Sequence, residues 1–499
     1  MPGPRSCSET SWPRPASAWI RSGSSAAVFR PAGAVCSAGF PAPSSSCCRS
    51  SQASCCAAAS CLPWRRRHER TVPVILLTLL SFTSSFAAFL LDLLLARKYG
   101  AGPIVDAFRA ACVALILGAQ LIVTQVLPHV IVPYVQRIRD RDGPSQAWRA
   151  FASLHLSITA AALVCAVLVG VHAERIGEWL APGLASAGRT AMTALTPPLA
   201  AAAFLILVSG SLSAALHLCG SFGAGFIAPL LLNLGWLSAV LMTDPSNATA
   251  ALGWGAVGGA AGGMLLHVLQ IRRFSRRDGF PDSSWFTSRI PPAGLRTLAG
   301  GLIVPVSLSL AALHLGSILI QRALSVSGPG SVAEYMYAQR LTTIAYTPAS
   351  VYGTRVFPDL ARDASARAAS TRVLRSLRDT AAIGVAAAAA AWLAREPLVA
   401  ILFGRGTLPP ESLARIADLF GTVIVAAPLG ALMSLLQKTF AAHCWGGAMA
   451  AAAAGSTAAL AAALWWIPAG ADGIAWMWVS WIGLNVALLG LVAWRRWRV

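Results

Sequence analysis

The chain has 499 residues, of which 56% are hydrophobic and only 12% charged, with a mean hydropathy of +0.63. Soluble domains carry about 25% charged residues, so this composition excludes a chain made mainly of water-soluble domains. A formal charge of +20, from 39 Lys and Arg against 19 Asp and Glu, would suit a nucleic-acid binder. The arginines instead fall in short loops between apolar runs, the pattern that the positive-inside rule produces, and nucleic acid is excluded as a partner.

Residues 1–70 are rich in Ser, Ala, Pro and Cys and lack periodicity. Such a segment cannot bury enough apolar surface to offset chain entropy. It is expected to be disordered, or to be an over-extended start of the reading frame. Cys7, Cys36, Cys47, Cys48, Cys55, Cys56 and Cys61 lie there, in a spacing that matches no zinc or disulfide framework. Cys112, Cys165, Cys219 and Cys444 are too scattered for a metal site, and no cofactor is expected. Arg65, Arg66, Arg67 and Arg70 then precede an apolar run that is too long for a signal peptide and has no small-residue cleavage site. It reads as an uncleaved first helix.

An apolar run of about 20 residues crosses a hydrocarbon core of about 30 Å. Runs of this kind predict spans over 72–96, 108–135, 150–171, 194–217, 222–242, 250–271, 298–323, 332–357, 380–402, 416–437, 447–466 and 473–494. Arginines cluster in alternate loops: Arg137, Arg139, Arg141 and Arg149; then Arg272, Arg273, Arg276, Arg277, Arg289 and Arg296; then Arg362, Arg367, Arg372, Arg375 and Arg378. That side is expected to be cytoplasmic, together with both termini. The fold class is therefore all-α, a polytopic membrane bundle of about twelve transmembrane helices.

The first and seventh spans end alike. Gly100-Ala101-Gly102 precedes Asp106 with the spacing at which Gly328-Pro329-Gly330 precedes Glu334, and each acid opens the next helix. Taken singly, each is ordinary capping. The matched pair predicts two pseudo-symmetric six-helix halves, 71–275 and 276–499, around a central cavity.

Polar groups inside spans are costly and mark cavities or buried pairs. Arg340 lies six residues beyond Glu334, about 9 Å into its helix. It is placed either to bind a pyrophosphate through its fork of donors or to pair with Glu334, Asp92 or Asp106. Asp92 and Arg322 come late in the two equivalent helices and could pair across the cavity or anchor at the interface. Gln120, Thr124, Gln125 and His129 form one polar stripe, which suits a cavity wall or a packed helix face. His155, His217, His267 and His314 read as packing or interface groups, as do Asn233 and Asn485. No nucleophile elbow, Gly-Lys phosphate loop or metal-ligand spacing is present. The chain reads as a transporter and not an enzyme.

With these features in place, the chain resembles the MurJ/MviN family of lipid-linked saccharide flippases, within the multidrug and oligosaccharidyl-lipid exporter superfamily. The resemblance runs from about 75 to 445. It rests on Ala96-Arg97-Lys98-Tyr99-Gly100-Ala101-Gly102 with Asp106-Ala107-Phe108 and Pro133; Ala181-Pro182-Gly183; Pro229 through Asn233; Tyr337-Ala338-Gln339-Arg340-Leu341; Phe357-Pro358; and Leu402-Phe403-Gly404-Arg405-Gly406.

The resemblance implies a V-shaped bundle with a cationic cavity for undecaprenyl-pyrophosphate-linked sugars, moved from the cytoplasmic to the periplasmic leaflet of a bacterial inner membrane by alternating access. Its implied partners are that polyprenyl-pyrophosphate-linked saccharide, membrane lipid, and proteins of cell-envelope biosynthesis. Arg340 matches a cavity arginine of the family. Ser85, Leu91, Ala119 and Gln120 stand where members place arginines, and Thr124 where they place a glutamate. With fewer cations, and with twelve predicted spans where peptidoglycan members have two more, the expected cargo widens from lipid II to exopolysaccharide repeat units. A cation-coupled small-molecule exporter and a membrane enzyme of polysaccharide assembly are the alternatives. The cavity candidates are Arg340, Asp92, Arg322, Gln120, Thr124, Asp106 and Glu334.

Overall fold

A computed structural model describes residues 74–219, 221, 223–278, 304–362, 366–442, 445–467 and 470–498. The expectation for 1–70 lies outside the described residues. All described helices belong to one compact unit, Arg67–Val499. In chain order they are α1 (Val74–Tyr99), α2, α3 (Pro144–Val171), α4 (Ala173–Leu180), α5 (Ser186–Leu218), α6 (Gly223–Met242), α7 (Ala248–Asp278) and α8 (Val304–Val326). There follow α9 (Ser331–Arg362), α10 (Ala366–Leu393), α11 (Arg395–Phe403), α12 (Pro410–Val423), α13 (Ala426–Ala442), α14 (Gly446–Trp466) and α15 (Ala471–Arg498).

α2 is a composite over 103–142: α-helical pieces Pro103–Ala111, Gly118–Leu121 and Leu127–Asp142 alternate with π-helical pieces Cys112–Leu117 and Ile122–Val126. Pro128 explains the second π piece. Proline has no N–H to give the carbonyl four residues back, and the widened turn absorbs the mismatch.

Among the described residues, nine helical stretches are long and apolar enough to cross a membrane, or eleven when two bent pairs each count as one span. The predicted twelve are thus not reproduced in number. α9, carrying Glu334 and Arg340, is the predicted span missing from that set. The bends fall where two spans were drawn straight. α10 and α11 meet at 68°, and α12 and α13 at 45°. Pro397 cannot bond to the carbonyl of Leu393, where α10 ends, and Pro428 cannot bond to that of Ile424, just past the end of α12. The short helix α4 was not expected.

Packing follows the small residues. Gly255, Gly259 and Gly263 recur every fourth residue along α7 and face α6. A methyl group on Gly259 would lie 2.7 Å from the Leu231 carbonyl oxygen and the Leu232 Cα, and one on Gly235 would lie 2.7 Å from the Gly259 Cα. Lipid offers no hydrophobic drive between helices, so this backbone-to-backbone approach supplies the contact. α5 packs on α3 and α7, and α1 on α6. One apolar cluster holds Leu95, Phe108, Leu195, Leu232 and Trp236; a second holds Ile320, Tyr335, Phe403, Phe420 and Trp481. α1 and α2 contribute to both, through Phe89, Ala96 and Val105 in the second.

Gly259→Val forces α6 and α7 apart and should destabilise the bundle by about 1–3 kcal/mol, read as a lowered thermal midpoint of the full chain in detergent; Gly258→Val, at an open position, is the control and should leave it nearly unchanged.

Candidate functional site

Among the described residues, the most buried charged side chain is that of Asp92 on α1, 1% exposed. A lone carboxylate there would be prohibitively costly. One oxygen accepts from the Arg109 guanidinium of α2, and the other from Nε of Arg340 on α9. Arg109 is buried with it, lying over the rings of Phe108 at 5.6 Å and Tyr337 at 5.8 Å. The Arg340 side chain keeps 31% exposure. Two guanidiniums against one carboxylate leave the trio with a net positive charge, and its exposed member is Arg340.

Above the trio, a seam joins the two Gly-rich turns. Asp106 accepts from the backbone N–H groups of Gly330 at 2.6 Å and Ala333 at 2.8 Å, so a side chain of α2 caps the N-terminus of α9. The charge suits the positive end of the helix dipole. Gly330 has φ +86°, and a methyl there would lie 2.6 Å from the Ala101 carbonyl oxygen; no other residue allows both the turn and the approach. The Tyr337 hydroxyl donates to the Gly100 carbonyl at 3.0 Å. Farther along, Gly183 lies against the backbone at Ser325 and donates its N–H to the Ser325 Oγ at 3.3 Å.

The other candidates are placed as follows. Glu334, 2% exposed, makes a forked pair with Arg415 of α12, at 2.8 and 2.9 Å, and does not reach Arg340. Arg322 donates to the Trp179 carbonyl and lies 5.9 Å over that ring, so of the two roles left open it does not pair with Asp92 and is held on α4. Gln120 and Thr124 line a cavity of about 340 Å³ between α2, α5, α6 and α7. The side chains of Gln125 and His129 lie outside the described residues. Ser85 donates to the Ser81 carbonyl in its own helix. Leu91 and Ala119 are 3% and 4% exposed, inside the packing rather than on a cavity wall. A second hollow, of about 390 Å³, is wholly apolar: Phe89, Leu341, Ile344, Ala391, Leu398 and Phe420 are among its walls, and Leu341 adjoins Arg340.

Arg109, Tyr337 and Arg415 were not singled out from sequence as site residues. For Arg109 a signal existed. Asp92 lies eight residues before Gly100 and Arg109 seven after Gly102, so along two helices joined by a tight turn they sit at nearly the same depth, about 10–12 Å. Opposite charges at equal depth in adjacent spans should be read as a pair.

A family model described as lipid II flippase MurJ matches residues 95–444. Among curated proteins, the lipid II flippase MurJ of Burkholderia cenocepacia is 26% identical over 380 residues, covering 74% of this chain and 72% of the relative. The probable lipid II flippase MurJ of Rhizobium tropici is 25% identical over 377 residues, covering 72% and 68%. Among solved structures, lipid II flippase MurJ in an inward closed conformation aligns with a TM-score of 0.70 at 14% identity, over 83% of this chain and 86% of that one. An inward-facing multidrug MATE transporter aligns at 0.67 and 14%, over 83% and 94%. At these identities the solved structures speak for the fold alone.

Asp92→Asn strips the charge partner from buried Arg109 and should cost about 3–5 kcal/mol. Arg340→Gln, which leaves the Asp92–Arg109 pair intact, should cost clearly less. Thermal unfolding of the two variants side by side tests this order.

Proposed function

The chain belongs to the MurJ family of lipid II flippases, and from that premise we propose that it moves a lipid-linked, pyrophosphate-bearing saccharide of the lipid II type from the cytoplasmic to the periplasmic leaflet of a bacterial inner membrane. As a member of this family it is a transporter, not an enzyme of polysaccharide assembly. The observation that carries the cargo reading is Arg340, a guanidinium held at the level of the Asp92–Arg109 pair with much of its donor fork uncommitted. A planar fork matches phosphate oxygens, and a charge-assisted contact in low dielectric is worth far more than a neutral one.

The adjoining apolar hollow supports a place for the first units of a hydrocarbon tail, since Leu341 and Phe89 put it within a turn of Arg340 and Asp92. The seam between the turns supports a state closed at one end. We take that end as periplasmic, with both termini in the cytoplasm, because the arginine-rich loops lie at the other end. In this reading α1–α7 and α8–α15 are the two halves that rock about the seam, and α1 and α2 carry Asp92 and Arg109 with the first half. The sparse cations also favour tolerance of other polyprenyl-linked units, such as exopolysaccharide repeats.

Depletion of the protein in its host should raise the pool of lipid-linked precursor facing the cytoplasm, and unchanged levels of every polyprenyl-linked precursor would sink the reading. Arg340→Ala should lower transport by about ten- to a hundred-fold, the loss of one charge-assisted contact, while the chain still inserts. Ser85→Ala, which removes only a bond within one turn of α1, should stay within about two-fold. Full complementation of the depletion strain by the arginine variant removes Arg340 from the site.

A further inference from the structure

The cavity of about 340 Å³ lies within the first set of helices, walled by α2, α5, α6 and α7, away from Arg340. Most of its lining is apolar, as in Val123, Ile206, Phe226 and Leu232, and its polar groups are few: Gln120, Thr124, Ser209, Ser213, His217 and His267. His267 is 1% exposed. Its Nδ1 lies 2.8 Å from the Gly263 carbonyl and 2.9 Å from the Ser209 hydroxyl. A carbonyl can only accept, so Nδ1 carries the ring proton and Nε2 is left with its lone pair. That Nε2 is buried and has no hydrogen-bond partner. An unmet polar group in a spanning segment is expensive, and unlike His314, whose Nδ1 is also without a partner, His267 lines the cavity.

We propose that this cavity is a proton-binding site: His267 Nε2, beside His217, takes up a proton arriving along the polar wall of α2, where Thr124 is exposed. The occupant is the proton because a buried imidazole lone pair with no donor beside it can accept one, and no Asp, Glu, Lys or Arg is among the residues lining the cavity. Of the elements packed on α7, α5 brings His217; α6 and the Pro245–Asn247 turn carry no titratable side chain; and α2 presents Gln120 and Thr124. The charged groups of α2 nearer the turns, Asp106 and Arg109, are engaged with α9 and Asp92. His155, from α3, is taken up by Ser211 at 2.6 Å. On α7 itself, Arg272 and Arg273 follow about one and a half turns on.

Protonation places a cation in the same cavity as Gln120, a position where the family resemblance implies an arginine. This part rests on the flippase reading: an anionic headgroup entering beside that wall would meet a charge present at low pH and absent at high pH. The proton site itself does not depend on the cargo.

The test uses the full chain in lipid nanodiscs with isotope-labelled histidine. The His267 ring signals, identified by their loss in His267→Gln, should pass from one bare nitrogen to two protonated nitrogens as the pH falls through roughly 8 to 5; a His267 ring that keeps one state over that range overturns the proposal. Should the Gln variant fail to fold, Ser209→Ala keeps the ring and shifts the midpoint of the same transition, whereas no shift in any histidine signal overturns the assignment. Farnesyl diphosphate then probes the linkage: its binding should tighten about five-fold on acidification in the wild type and clearly less in His267→Gln. Equal pH dependence in both refutes the linkage. No binding at any pH counts against the cargo reading, and the imidazole titration decides the proton site by itself.

Discussion

A carboxylate buried among membrane-spanning helices must be neutralised where it stands, and Asp92 imposes that demand on three helices at once. Its two partners are unequal. Arg109 is 6% exposed at its side chain and comes from the helix that follows the Asp92 turn, whereas Arg340 is 31% exposed and comes from 248 residues away. Breaking the first pair would leave a charge with no route to water; breaking the second would leave Asp92 still bonded to Arg109. A displacement of α9 from α1 would therefore break the Asp92–Arg340 contact and leave the Asp92–Arg109 pair whole. The part of that contact open to an anion is the Arg340 side chain, 31% exposed.

The seam above it obeys a related constraint. A helix begins with N–H groups that have no partner of their own, and α9 has two of them met by Asp106, a side chain of α2. Separating the turns strips that cap and obliges water to replace it. Little side-chain bulk is involved, because Gly330 and Gly183 let backbone approach backbone. The joint thus combines directional bonds, which can be exchanged for water, with an apolar contact in which Phe89, Ala96 and Val105 of α1 and α2 share a cluster with residues of α8 and α9.

The apolar runs made the helices legible, since twenty residues without charge have few other fates in a membrane protein. The matched Gly-rich turns pointed to the seam, and Asp92 and Arg340 stood out because charges inside spans are rare. What was not legible has physical causes. The ninth and tenth spans were drawn straight although Pro397 and Pro428 sit four residues past the carbonyls at which the chain bends. Leu91 and Ala119 were read as cavity positions through a resemblance, yet one residue of offset on a helix turns a side chain by about 100°, and both face the packing. For Arg322 the sequence leaves pairing with Asp92 and anchoring both open, and its guanidinium goes to Trp179, on a helix that no hydropathy signal announces. Glu334 mirrors Asp106 in sequence and not in role, because Arg415 captures it before it can reach across to α2.

The distribution of charge ties these features together. The trio carries one net positive charge at fixed protonation, since an arginine stays cationic at any physiological pH. A doubly charged pyrophosphate entering beside it would be only half neutralised, and in low dielectric that shortfall weighs heavily. Gln120 lines the cavity of the first set of helices without a charge, and no Lys or Arg is among the residues lining it. The remaining ionisable groups of that wall are histidines, whose charge depends on pH near neutrality. The fixed cation, Arg340, and the titratable His267 lie in different places, so on the proton proposal an anion held by the trio meets a constant charge, whereas one entering the cavity of the first set of helices meets a charge set by the proton supply on the side that cavity faces.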